Sequence, residues 1–300
     1  MWPGDALPQH GNTNWQVFYA TGTPTVGRYQ TYMKPPGASM IYIMILADGA
    51  GGSRPADGNV TTAGGGGGSG GMSRMLIPAA LLPDIIYVLP GKGGLGATTA
   101  NTIGGSGNSS TVSVYPSGAQ AYTILTQGPG QPGATVQGAG SAGNAGTSSN
   151  AFTSLGLFFT IAGQAGTAGS ATANAAATDI TPGASGIITT GGGGGANGTG
   201  GTGDITASGF FPAISSNFFD NRIGHGFQLG AIISPGLKSF PMIFTGGGGG
   251  YGLFVAGTCA NGGNASYGGG GGGGGSGTNA GSISGNGGNG GDALIIIGAL

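Results

Sequence analysis

The chain of 300 residues contains no glutamate, one cysteine, two histidines, and only seven lysines and arginines against eight aspartates. Each scarcity excludes a class. Helix-favouring charged residues are too few for a helical bundle, and each interior glycine would cost a helix about 1 kcal/mol. Cys259 alone rules out an intramolecular disulfide framework. A net charge of −1 with scattered cations offers no basic stripe, so no nucleic-acid partner is expected. The longest apolar stretch, 76–90, is broken by Pro78, Pro83 and Asp84 and is too short for a bilayer span, so no membrane insertion is expected. The opening MWPGDALPQHG has neither the basic region nor the apolar run of a secretory signal, and cytoplasmic assembly is expected. Heptads are missing, so a homo-oligomer would have to form without a coiled coil.

Glycine is what the chain has in excess: 76 residues, about a quarter of the chain against a usual share of about 7%. The glycines come in runs and pairs without a strict every-third period, which excludes collagen. Gly-rich chains are commonly flexible coil. Here, however, hydrophobic residues still make up 38% and gather into runs between the glycine stretches. Ordering glycine costs more backbone entropy than ordering any other residue, so an ordered glycine region needs dense backbone hydrogen bonding.

Along the chain, residues 1–27 read as irregular and aromatic, an N-terminal docking arm in which Trp2, Trp15, Phe18 and Tyr19 would meet the particle. Residues 28–34 are strand-like, and MIYIMILA at 40–47 reads as a strand buried on both faces. Further strands are expected at 72–77, 84–89, 110–115 (with 121–125 as partner), 155–162 and 292–300. A short Ala-rich helical turn is expected at 172–178. The domain 28–300 carries one Phe-rich insertion, 205–245, with its own small core. The strands at 40–47 and 294–300 are expected to be neighbours in one sheet.

Three-residue-per-turn extended helices rise about 3.1 Å per residue and make no internal hydrogen bonds. Side by side, such helices can bond to one another only where no Cβ intervenes, so interior positions must be glycine while outward ones accept Ala, Ser, Thr or Asn. GGGGGANGTGGTG and GGGGGGGGSGTNAGSISGNGGNGG have that mixture. The expected fold is therefore mostly irregular and all-β. Apolar strands would frame a bundle of packed polyglycine-II-like helices, with almost no α-helix and with octaglycine 268–275 as the surrounded central rod.

The segment YQTYMKPPGASMIYIMILADGAGG resembles the opening of the glycine-rich domain of phage tail fibres and related virion proteins. GGGGGSGGMSRMLI, LPDIIYVLPGKGGLG and GNGGNGGDALIIIGAL are similar to its continuation and ending, so the resemblance covers about 28–300. It implies a virion location, other virion proteins as partners, and a host surface saccharide or outer-membrane protein as receptor. In tail-tip adhesins of this kind, loops at one end of a glycine sandwich read the receptor. The positions offered for that role are Phe210, Phe211, Phe218, Phe219, Arg222 and His225 of the insertion, together with Tyr251 and Tyr267.

No cofactor, metal site or enzyme activity is expected. GxGxxG recurs without opening a helix after a strand, and Gly91-Lys92 lacks the rest of a P-loop. His10 and His225 have no acidic neighbours, and GGNGGD ending at Asp292 is half of a calcium nonapeptide that appears once. Cys259 reads as a small buried filler. The sequence points to a tail-fibre or tail-tip adhesin. The alternatives are a capsid decoration or head-fibre protein, and an ice-binding or cell-envelope glycine-rich protein.

Overall fold

The computed structural model describes residues 14–23, 26–58, 62–117, 119–140, 155–171, 191–198, 246–253 and 255–300. These are nearly all strand and irregular chain, with two single 3₁₀ turns at Ala79–Leu81 and Gln120–Tyr122 and no α-helix among the described residues. The insertion 205–245 and the helical turn expected at 172–178 lie outside them.

The strands in chain order are β1 (Asn14–Tyr19), β2 (Gly22–Thr23), β3 (Val26–Gly27), β4 (Gln30–Met33), β5 (Met40–Leu46), β6 (Met72–Pro78) and β7 (Ile85–Leu89). They continue with β8 (Ser110–Ser113), β9 (Thr123–Gln127), β10 (Leu157–Ile161), β11 (Gly257–Thr258), β12 (Ser282–Ile283) and β13 (Leu294–Ala299). One antiparallel sheet has the order β1-β13-β5-β6-β10, a second β4-β7-β8-β9. The expected pairing of the two apolar strands is found: Leu294 faces Leu46 and Ala299 faces Ile41.

β5 was expected to be buried on both faces, but its burial alternates. Ile41, Ile43 and Ile45 point between the sheets, where they meet Ile295, Ile297, Met75 and Ile77 of their own sheet and Tyr32, Ile86, Val88, Val112 and Leu125 of the other. Each buried aliphatic side chain contributes about 1.5–3 kcal/mol, so this layer is the main apolar core, and a smaller cluster of Leu46, Met72 and Leu294 lies on the other face of the first sheet. A second correction concerns β1. The segment read as irregular is an edge strand, with Trp15 opposite Gly298 and Phe18 opposite Ile295. Phe18 enters the core, because period-2 alternation sends Phe18 inward and Trp15, Val17 and Tyr19 to the other face.

β5, β6, β10 and β13 of the first sheet, and β7, β8 and β9 of the second, run on into glycine segments. These segments bond to one another rather than internally. The donors of 49–54 go in rotation to three neighbours. Gly49 and Gly52 donate to Gly291 and Gly288, Ala50 and Ser53 to Gly68 and Gly65, Gly51 and Arg54 to Gly105 and Thr102, all at 2.9–3.0 Å. Segment 268–276 is buried throughout and bonds to neighbours on several sides. Gly271 and Gly274 donate to Ala50 and Ser53, Gly272 and Gly275 to Gly263 and Ala260, Gly273 and Ser276 to Gly193 and Ala196. Its carbonyls accept from Gly64 and Gly67, from Gly247 and Gly250, and from Gly285 and Gly288. A Cβ on any of Gly271, Gly272, Gly273 or Gly274 would stand 2.0 Å from a neighbouring backbone oxygen. Only glycine permits this approach.

Candidate functional site

Three of these segments lie side by side at one surface. The middle one, 285–292, donates to 94–97 on one flank through Gly290 to Gly94 and Gly287 to Ala97. On the other flank it accepts at Asn286 and Asn289 from Gly262 and Ala265. The resulting groove, about 490 Å³, has Gly290 and Gly291 along its floor, Lys92 and Leu95 on one wall, and Asn264 and Tyr267 on the other. Gly93 must be glycine, since its Cβ would stand 2.3 Å from Gly290 O.

At one end, Lys92 Nζ donates to Asp292 Oδ2 at 2.5 Å and the Gly93 N–H donates to Oδ1 at 3.0 Å. Along the wall, Asn289 N–H donates to Asn264 Oδ1 and Gly96 N–H to Asn289 Oδ1, both at 2.8 Å. Each amide oxygen is thus committed to a backbone N–H, which turns each Nδ2 away from the backbone. Tyr267 is half-buried, its ring centroid 5.8 Å from that of Tyr19. Burial, and then the neighbouring Tyr267, raise the Tyr19 hydroxyl above its ordinary pKa.

The outer face of the five-stranded sheet is a second surface. Three rungs cross it: Trp15, Gly298, Tyr42, Leu76 and Leu157; then Val17, Ile296, Met44, Arg74 and Phe159; then Tyr19, Leu294, Leu46, Met72 and Ile161. The third rung is covered where the glycine segments begin, with Leu46, Met72 and Leu294 buried. The first two are open enough to leave Leu157 75% and Phe159 49% exposed. Gly298 lets the Trp15 indole lie across β13 to within 5.6 Å of Tyr42, since a Cβ there would meet the ring at 2.4 Å. Arg74, whose guanidinium lies 5.1 Å over Phe159, is the only charge on these rungs. Burial raises the Tyr42 hydroxyl, and Arg74 opposes the shift.

A scan against protein-family models finds no match, and neither does a search among curated proteins. The geometry therefore carries the functional argument. Of the receptor positions read from sequence, Tyr267 lines the groove. Tyr251 lies opposite Ala260, at the far end of the segment that leads to Tyr267. Phe210, Phe211, Phe218, Phe219, Arg222 and His225 lie outside the described residues, as does Trp2. Trp15 and Tyr19 reach the outer sheet face, whereas Phe18 serves the core.

Lys92, Asn264, Asn289 and Asp292 escaped the sequence reading as a group. Lys92 and Asp292 each drew notice for a failed motif, and the fold makes them partners. The available signal was the Asn-x-x-Asn spacing of 261/264 and 286/289. Asn261 and Asn264 accept from the N–H groups of Asn286 and Asn289, substituting for a further glycine segment at that edge.

The other described charges are mostly structural. Arg54 donates to Ser284 Oγ at 3.0 Å and Asn286 Oδ1 at 2.9 Å and pairs with Asp57 at 3.2 Å. Hydrogen bonds from Ser284, with help from Arg54, hold the Asp57 carboxyl below the usual range. Lys34 donates to the carbonyls of Ala79 and Leu82 and pairs with Asp84 at 3.3 Å. Cys259 is a buried free thiol raised by its burial. Among the described residues no cluster of His, Cys and Asp could hold a metal, and no helix is long and apolar enough to cross a membrane.

Proposed function

We propose that the chain is a structural protein of a phage virion, a tail-fibre or tail-tip adhesin that presents host-binding loops on a stiff glycine framework. We further read the glycine segments as polyglycine-II-like helices packed in a lattice. The three-residue recurrence of their lateral bonds supports this reading, because a chain that turns once in three residues returns each donor to the same neighbour at that interval.

The observation that carries the functional reading is the passage of two sheets, strand by strand, into mutually bonded glycine segments. Such a frame gives up side-chain chemistry for stiffness. It suits rigid presentation of loops, which can vary without repacking a core. The insertion 205–245 is the segment offered to the receptor. The outer sheet face, with Trp15, Tyr42, Met44, Leu157 and Phe159, is the surface offered to other virion proteins, being a contiguous apolar area of the kind that marks an assembly contact.

That same face also favours a second reading, a capsid decoration or head-fibre protein whose role is purely structural. Electron cryomicroscopy of particles labelled on this chain, with an adsorption assay in which purified protein competes, tests both. Label at fibre tips with blocked adsorption is the expected result. Label spread over the shell with adsorption unaffected would replace the adhesin reading by the decoration one.

A further inference from the structure

We propose that the groove over Gly290 and Gly291 is a saccharide site, taking a neutral pyranose through a vicinal diol and one apolar ring face. It depends on the attachment reading only for the source of the sugar, a cell-surface polysaccharide. The groove's chemistry stands on its own geometry.

Asp292 uses one lone pair on each oxygen for Lys92 and Gly93, which leaves both oxygens able to accept again. Lys92 keeps two further N–H bonds. Acceptor and donor therefore stand 2.5 Å apart, fixed by their own ion pair. Adjacent sugar hydroxyls, each able to donate and accept, fit such a pair. The Asn264 and Asn289 amides add donors whose direction is already set, because their oxygens bind backbone N–H groups. Among the described residues neither Nδ2 has a protein partner. Tyr267, pinned beside Tyr19, supplies a flat apolar surface for the C–H face of a ring.

Other ligand classes fit less well. Lys92 is neutralised by Asp292, and among the described residues no other cation lines the groove, which disfavours a phosphate or other anion. Five polar side chains, Lys92, Asn264, Ser266, Asn289 and Asp292, disfavour an apolar ligand. The volume of about 490 Å³ lies in the small-ligand range of about 300–1,000 Å³. Behind the floor, Gly288 and Gly291 donate to Gly272 and Gly269, so the groove has little freedom to lose when it is filled.

The test is saturation-transfer NMR and calorimetry on the full chain, with the methyl α-glycosides of glucose, galactose and mannose in one arm and dextran, galactan and mannan in the other. At least one glycoside should bind at millimolar concentration, with the polymer of the same sugar binding at least as well. Asn264→Asp keeps the acceptor for the Asn289 N–H and removes the outward donor. It should leave the melting temperature in place and weaken binding at least about fivefold, as loss of one hydrogen bond does. Tyr267→Ala should abolish the ring contact and the transfer signal.

Absence of transfer from every glycoside and polymer would overturn the proposal, as would binding that both variants leave unchanged. Competition for adsorption by the purified chain separates the two readings. Competition without glycoside binding overturns the saccharide groove alone, and glycoside binding without competition overturns the attachment role alone.

Discussion

A single methyl group is the natural unit for judging this protein. At Gly104 an added Cβ would stand 2.2 Å from Gly51 O, whereas at the next residue, Gly105, the nearest atom is Leu95 N at 3.2 Å. The two positions share one segment and differ only in the direction they face. Gly104→Ala should therefore lower stability by about 3 kcal/mol or more, while Gly105→Ala should stay within about 1 kcal/mol, as read by urea melts. Equal effects would show that glycine is present for chain flexibility and not for packing.

Asp48 poses the opposite problem, a polar group where space is tight. Its Oδ2 accepts the Asn108 N–H at 2.6 Å, while Oδ1 is buried without a partner. Burial pushes its carboxyl well above the ordinary range, with a smaller push from Asp292. A raised carboxyl means that the folded state holds the proton at pH values where the unfolded chain, near pH 3.9, has released it. This group's contribution is therefore most favourable below that point and is lost as pH rises to the folded value. Asp48→Asn keeps an acceptor for the Asn108 N–H and removes the buried charge, so it should raise stability at pH 8 and change little at pH 4. A variant that is less stable at pH 8 would show that the charged form is held by the fold.

Elements differ sharply in how well the sequence announces them. β5, β6, β7, β10 and β13 are rich in Ile, Val, Leu, Met and Phe and lie close to glycine or proline, and β8 opens the alternating STVSVY, so local pattern suffices to find them. β1 is missed although NWQVFY alternates and is rich in strand-favouring residues, because its flanks read as irregular and the partner that makes it an edge strand, β13, comes from the far end of the chain. The groove is missed for the same reason. Its walls come from 92–95 and 264–267, and its floor from 289–292, joined by hydrogen bonds between backbones that carry no side-chain signature.

What the glycine runs do encode is phase. Since donors return to one neighbour every three residues, removing one glycine from 268–275 should turn every later donor of that segment away from its acceptor, whereas removing three should restore the match. Hydrogen exchange at Gly271 to Gly275 reads this directly. Protection should be lost in the one-residue deletion and largely kept in the three-residue deletion. Comparable loss in both would remove the three-residue repeat as the ordering principle.

At the scale of the whole molecule, two kinds of interior meet end to end, and they have different thermodynamics. The sandwich between the sheets is ordinary: Ile, Val, Leu, Met and aromatic surface removed from water. The glycine bundle buries peptide groups and almost no side chain. Exposing apolar surface raises the heat capacity by about 0.45 cal/K/mol per Å², while exposing polar surface lowers it by about 0.26. Unfolding the bundle releases a larger polar share of surface than unfolding the sandwich does. The heat-capacity change per residue should therefore fall below the usual range of about 12–15 cal/mol/K. The denaturant slope depends on total area, polar and apolar together, and should remain normal for a chain of this size. A small heat-capacity change with a normal slope gives a flat stability curve, so stability should vary little between cold and warm conditions. Calorimetry beside urea melts measures both quantities on one sample. A heat-capacity change within or above the usual range would mean that side chains, and not the hydrogen-bonded glycine backbone, dominate the buried interior.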